Sequence, residues 1–165
     1  MRLPTVIITM ISAVFLMGAT SNAKLSKDIN SFSVLNLQKG ETLKIAYASN
    51  GCFHSDLGVI DFSFDSVTYL KETKPLLLEQ AEQLDNYFKA LFNVQGTSGG
   101  CTTAETLRLT VSRDGEPTAF MSLVDDFCFS FLSSKPGEKM MSPTRLKYML
   151  FKKEGVEQLS LKPQK

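Results

Sequence analysis

The chain has 165 residues, of which 43% are hydrophobic and 21% are charged, and its formal net charge is +1. This length fits one domain with its own hydrophobic core. A nearly neutral chain without a long Lys/Arg cluster lacks the basic face that nucleic acid binding requires, so we expect no nucleic acid partner. The sequence also lacks phosphate-binding loops, dinucleotide fingerprints, serine nucleophile elbows and zinc-binding helix motifs, so we expect no cofactor.

Residues 1–23 have the pattern of a secretory signal peptide. Arg2 supplies a basic start, a largely apolar run extends from Val6 to Ala19, and small residues follow at Ser21 and Ala23. The apolar run is short for a membrane span of about 20 residues, which disfavours the alternative of a retained N-terminal anchor. We therefore expect cleavage before residue 24, and a mature domain of residues 24–165 that is periplasmic or extracellular and has no stable membrane span.

Alternating apolar residues predict the first strands. Between Glu41 and Ser49, apolar side chains occupy every second position from Leu43 onward. The same period returns over residues 59–69, interrupted by a turn signal at Asp65-Ser66. Because period-2 alternation is typical of half-buried strands, we expect a three-stranded antiparallel meander between residues 41 and 71.

The period changes to that of an amphipathic helix over residues 73–93. Pro75 suits a first helical turn, where its missing N–H costs nothing. Polar residues fill the opposite side of the segment, so the apolar stripe is expected to face the core. That stripe consists of Leu77, Ala81, Leu84, Phe88 and Leu91.

A second hairpin is predicted around Asp114-Gly115, a pair that favours the positive φ angles of a tight turn. Alternation on both sides of the turn marks two antiparallel strands. Placing a bulge at the glycine pairs Leu107 with Met121 and Leu109 with Ala119, which matches apolar faces. Alternation continues beyond the hairpin through Phe127, Phe129 and Phe131.

A short helix is predicted near the C-terminus. Ser142 is a good N-cap, and Pro143 is well placed as the first helical residue. Leu146, Met149 and Leu150 recur at helical spacing and form its apolar face. The expected fold is therefore a single α+β domain, with an antiparallel sheet made of the meander and the C-terminal hairpin, the central amphipathic helix and this short helix.

Three cysteines in an exported chain allow one intramolecular disulfide bond and leave one thiol. The hairpin brings Cys101 and Cys128 close together, although the face-matched register leaves them one residue out of step. An irregularity at Asp125-Asp126 would close that gap. The alternative pair is Cys52 with Cys101, because both lie in glycine-flanked loops.

The segment Cys52, Phe53, His54 and Asp56 is the candidate functional loop. Side chains two residues apart on a strand are separated by about 6–7 Å, which is too far for His54 to deprotonate a Cys52 nucleophile directly. A zinc site from Cys52, His54, Cys101 and Cys128 has the right residue types but lacks Cys-x₂-Cys spacing.

The composition and the missing catalytic motifs favour an exported, non-enzymatic binding or inhibitor-type module that acts on a protein or cell-envelope partner. The alternative is a thiol- or metal-dependent activity centred on Cys52 and His54, so whether the chain is an enzyme stays open at this point. Thiol reactivity separates the two hypotheses, because a reactive cysteine needs a low thiol pKa and exposure.

Overall fold

A computed structural model describes residues 23–51, 54–132 and 139–151, and for His54 and Leu132 it describes the backbone only. The predicted signal peptide through residue 22, Cys52 and Phe53 of the candidate loop, and residues from 152 onward lie outside the described residues. Within the described ranges, no helix is long and apolar enough to cross a membrane.

The strands of the described residues form one sheet: β1 (Lys24–Leu25), β2 (Glu41–Gly51), β3 (His54–Phe62), β4 (Ser66–Tyr69), β5 (Glu72–Pro75), β6 (Ala104–Arg113) and β7 (Glu116–Asp125). The strand order in the sheet is β1-β7-β6-β2-β3-β4-β5. β1 runs parallel to β7, whereas the other neighbours are antiparallel. The prediction of a purely antiparallel sheet is therefore wrong at this edge, because the two residues of β1 are too few to carry an alternating pattern.

The central helix α1 spans Leu78–Val94 and begins later than predicted. Residues 72–75 instead form the edge strand β5, where Pro75 is tolerated because an outward position needs no ladder hydrogen bond. The Gln80 side chain accepts a hydrogen bond from the Leu77 backbone N–H at 2.9 Å and caps the helix. Leu77 therefore precedes the helix and is exposed, whereas the rest of the predicted stripe is buried.

The β6–β7 hairpin has a two-residue turn with positive φ at Asp114 and Gly115 (+52° and +86°). The ladder then shifts next to Val111, so that Leu109 pairs with Met121 and Leu107 with Leu123. The predicted bulge at the glycine and the predicted register are therefore wrong. The shift leaves Thr118 without a ladder partner, directly after Pro117, which lacks the N–H that would continue the ladder.

One face of the sheet carries the core and the other faces solvent. The core face is covered by α1, by a 3-10 helix over Ile29–Phe32, and by α3 (Pro143–Phe151). Asp85 of α1 is buried, and it accepts hydrogen bonds from the Ser33 hydroxyl at 2.5 Å and the Val34 N–H at 2.7 Å. These bonds attach the segment after the 3-10 helix to α1.

Among the described residues, two short helices follow the hairpin. The predicted N-cap of α3 is confirmed, because the Ser142 hydroxyl accepts a hydrogen bond from the Arg145 N–H at 3.2 Å. Met149 is exposed rather than part of the buried face, and Lys147 is buried instead. Phe129–Leu132 forms helix α2, so the phenylalanine alternation does not continue the strand. The left-handed backbone of Cys128 (φ +60°) turns the chain out of the ladder at this point.

Candidate functional site

A row of polar residues crosses the inward face of the sheet at one end. Asp56 of β3 pairs with Ser49 of β2, Ser49 pairs with Glu105 of β6, and Glu105 pairs with Asp125 of β7. The four residues lie on the same face of the sheet as the buried apolar residues of these strands. The core therefore ends in a row of three acids and one serine, which we call the polar row.

Three members of the polar row, Ser49, Asp56 and Glu105, line an open cleft of about 900 Å³ between the strand ends and helices α2 and α3. Hydroxyl side chains contribute much of its lining: Ser49, Thr102, Thr103, Ser130, Ser142 and Thr144. Phe131, Tyr148 and Met149 add apolar surface and are largely exposed, at 74%, 54% and 50%. The cleft therefore combines a hydrogen-bonding interior with exposed apolar groups at its margin.

Asp56 forms a partly buried ion pair with Lys147 of α3. The Lys147 ammonium lies 2.6 Å from the Asp56 carboxylate, and the Tyr148 hydroxyl donates to the same carboxylate oxygen at 2.9 Å. Burial alone would raise the pKa of Asp56, but the hydrogen bonds from Lys147 and Tyr148 and the lysine charge outweigh burial and hold that pKa below its ordinary value. The carboxylate therefore stays ionised and holds α3 against β3.

Three tyrosine rings surround the ammonium of Lys147. Their centroids lie 4.9 Å (Tyr47), 5.3 Å (Tyr69) and 4.3 Å (Tyr148) from the lysine nitrogen, which is within the range of cation–π attraction. Lys147 also donates to the Tyr47 hydroxyl at 2.5 Å. Gly58 permits this arrangement, because a Cβ at that position would lie 2.7 Å from the Tyr47 hydroxyl oxygen.

Glu105 connects the polar row to the start of α3. It is almost fully buried, and the Thr144 hydroxyl donates to its carboxylate at 2.5 Å. Burial raises the pKa of Glu105, and the facing charge of Asp125 raises it further, while hydrogen bonds from Thr144 and Ser130 work in the opposite direction. Burial, which disfavours the charged form, is the largest cause and sets the direction, and repulsion from the acid directly opposite on the neighbouring strand adds to it.

Asp125 holds α2 in place. Its carboxylate accepts hydrogen bonds from the backbone N–H groups of Phe129 at 3.0 Å and Ser130 at 2.6 Å, and from the Tyr87 hydroxyl at 3.2 Å. Burial, followed by the charges of Glu105 and Asp125, raises the pKa of Tyr87, so its hydroxyl stays protonated and remains a donor. All three acids of the polar row thus bind groups on the two helices that border the cleft.

A disulfide bond joins Cys101 and Cys128 beside the cleft, with their Cα atoms 5.7 Å apart. The Cys101 N–H also donates to the Asp126 carbonyl at 2.9 Å. Gly99 fits here because a Cβ at its position would collide with that same carbonyl group. The disulfide bond therefore ties the loop before β6 to the turn that leads into α2.

The candidate loop is only partly described. Asp56 lies at the cleft, whereas Cys52 and Phe53 lie outside the described residues and only the backbone of His54, paired with Gly51, is described. A zinc site that used Cys101 and Cys128 would need both as thiolates, and the disulfide bond removes both. Within the described residues, no group of three or more His, Cys, Asp or Glu side chains could hold a metal ion.

Three residues of this site, Lys147, Glu105 and Tyr148, are not among the candidates predicted from the sequence. The alternation of β6 could have identified Glu105. It lies two residues before Leu107, so it is on the same inward face as Leu107 and Leu109. The sequence of α3 contains no signal that marks Lys147 as buried, because a lysine beside an apolar stripe usually faces solvent. Its partner Asp56 lies 91 residues away in the chain.

No family model, curated protein or solved structure matches this chain.

Proposed function

We propose that this chain is an exported, non-enzymatic binding module whose partner, a protein or a component of the cell envelope, enters the cleft beside the polar row. One observation carries the proposal: a cleft of about 900 Å³ has a hydroxyl-rich interior and exposed Phe131, Tyr148 and Met149 at its margin. Concave sites that combine apolar surface with a few convergent polar groups are the usual place for ligands.

The hydrogen bonding of the polar row supports binding rather than catalysis. A general acid or base must reach the proton that it transfers in a bound substrate. The oxygens of Asp56, Glu105 and Asp125 instead accept hydrogen bonds from α2, α3 and Tyr87. In this arrangement the acids hold the walls of the cleft, and the walls present the recognition surface.

Export is supported by the disulfide bond between Cys101 and Cys128, since disulfide bonds persist in oxidising compartments and are rare in the cytosol. The signal-peptide pattern of residues 1–23 points to the same compartment. N-terminal sequencing of the exported protein should start at Lys24, and a chain that retains Met1 in the membrane fraction would contradict export with cleavage.

Site-specific photocrosslinking tests the binding proposal. A photoreactive phenylalanine analogue at Phe131 should crosslink one partner in the native cell. The matched control carries the same analogue at Phe64, which is similarly exposed at 66% but lies beyond the other end of β3. Equal crosslinking at both positions, or none at Phe131, would contradict a partner in the cleft.

A further inference from the structure

The edges of the sheet are protected to different degrees. An unprotected edge strand presents unpaired N–H and C=O groups that can pair with another chain, so proteins shield their edges with charges, prolines or covering segments. In this sheet β5 is four residues long and contains Lys74 and Pro75. The outer edge of β7 pairs with β1. Farther along this edge, the Gln95 side-chain amide occupies the backbone groups of Val124: it accepts a hydrogen bond from the Val124 N–H at 3.0 Å and donates one to the Val124 carbonyl at 2.8 Å.

The outer edge of β3 lacks such protection in the part of the chain that the structure describes. β4 pairs with β3 only at Asp61 and Phe62, although β3 begins at His54. The strand contains neither lysine nor proline. On the solvent face, Leu57 is 75% exposed and Val59 is 44% exposed.

The ladder shows which backbone groups of β3 face this edge. Ser63 donates to the Ser66 carbonyl at 2.9 Å, which makes these residues a hydrogen-bonded pair next to the turn. Hydrogen-bonded pairs alternate in an antiparallel ladder, so the odd-numbered residues of β3 direct their N–H and C=O groups outward. The outward groups along the open part are those of Ser55, Leu57 and Val59.

We propose that β3 binds an extended segment of the partner protein by strand addition along residues 55–59. Outward peptide groups recur every two residues, about 6.6–6.8 Å apart, and another extended backbone repeats with the same spacing. The added strand would lay apolar side chains over Leu57 and Val59 on the solvent face. This inference deepens the proposed function, because Asp56 of the same strand borders the cleft.

The test uses a peptide of known sequence, because strand addition relies mainly on backbone groups and tolerates different side chains. The probe is a fluorescent synthetic peptide with the sequence of residues 43–51, the stretch that already pairs with the inner edge of β3. Titration with the mature full chain, followed by fluorescence anisotropy, should give saturable binding. The control peptide is N-methylated at four consecutive residues, which removes donors from both of its edges, and it should not bind.

Two substitutions in the chain locate the binding to β3. Leu57→Pro removes an outward N–H and should weaken binding by about tenfold or more. Leu57→Lys leaves the backbone intact and places a charge on the edge, so it should also weaken binding even if the proline variant unfolds. The matched control is Leu78→Pro, at an exposed first helical position that tolerates proline, and it should bind like the wild type.

Amide hydrogen exchange supplies the deciding readout. In the free full chain the Leu57 and Val59 amides should exchange rapidly, and the probe should slow both. Slow exchange without the probe would show that the chain covers this edge itself and would overturn the proposal, as would binding that Leu57→Lys leaves unchanged. Because the Phe131 crosslink tests the cleft and these variants test β3, failure of one proposal is distinguishable from failure of the other.

Discussion

Replacing Lys147 by methionine tests whether the polar row holds α3. The Lys147 side chain is 6% exposed and the Asp56 side chain 23% exposed, so the variant leaves a mostly buried carboxylate without its counter-charge. Removing one partner of a buried ion pair costs about 3–5 kcal/mol. Because Asp56 keeps some solvent contact and the hydrogen bond from Tyr148, we expect the lower end, about 3 kcal/mol.

The assay is urea unfolding of the wild type, Lys147→Met, Asp56→Asn and the double variant, followed by circular dichroism. The double variant should lose less than the sum of the single variants, with a coupling energy of about 1–3 kcal/mol. Lys44→Met is the matched control, because Lys44 and Asp61 form an exposed ion pair at 3.8 Å, and it should change stability by less than about 0.5 kcal/mol.

The pH dependence has a definite sign. The pKa of Asp56 is lowered in the folded chain, so the stabilisation from its ionised form is present above the ordinary aspartate pKa of about 3.9. That stabilisation is lost as pH falls through the folded pKa. The difference between the wild type and Lys147→Met should therefore shrink in acid. Additive losses in the cycle, or equal effects of Lys44→Met and Lys147→Met, would refute the reasoning.

Three further predictions concern the core, the disulfide bond and Glu105. Phe88→Ala should cost about 3–5 kcal/mol in urea unfolding because Phe88 is buried, whereas the exposed Glu82→Ala should be nearly silent; similar losses would contradict the burial. Cys101→Ser opens a link across 27 residues and should cost about 3.5 kcal/mol, and reduction of the wild type should have the same effect. Burial raises the pKa of Glu105, so its neutral form stabilises the fold fully below about pH 4 and this contribution is lost as pH rises through the folded pKa. The urea midpoint of Glu105→Gln should therefore rise relative to that of the wild type as the pH increases from 4 to 7. A difference in midpoint that does not change with pH would contradict the assignment.

Hydrophobic periodicity was sufficient to predict most of the elements and their buried faces. Leu84 and Leu107 are buried because a helical or strand period places each on the core side, and that period is local in the sequence. The residues at which helices and strands begin and end were harder to predict. Thr73 and Pro75 are compatible with a first helical turn and with an edge strand, and the pairing with β4 decides for the strand.

The polar row could not be predicted because it depends on the registers of four strands at once. A difference of two residues in the β6–β7 register keeps every side chain on its face of the sheet but gives it a different partner on the neighbouring strand. A bulge at Gly115 would pair Leu107 with Met121, whereas Leu107 pairs with Leu123, and this observed register sets Glu105 opposite Asp125. In the sequence, proximity to Cys52 and His54 marks Asp56, whereas its contacts in the fold are with Lys147 and Tyr148.

Amide hydrogen exchange of the full mature chain, with and without the partner captured by the Phe131 crosslink, tests the central claim most directly. If the partner occupies the cleft, exchange should slow in residues 102–105 of the loop and β6, in residues 129–131 of α2 and in residues 144–149 of α3. The α1 residues that face solvent should be unaffected. Slowing confined to α1, with unchanged exchange in the segments that line the cleft, would contradict the account.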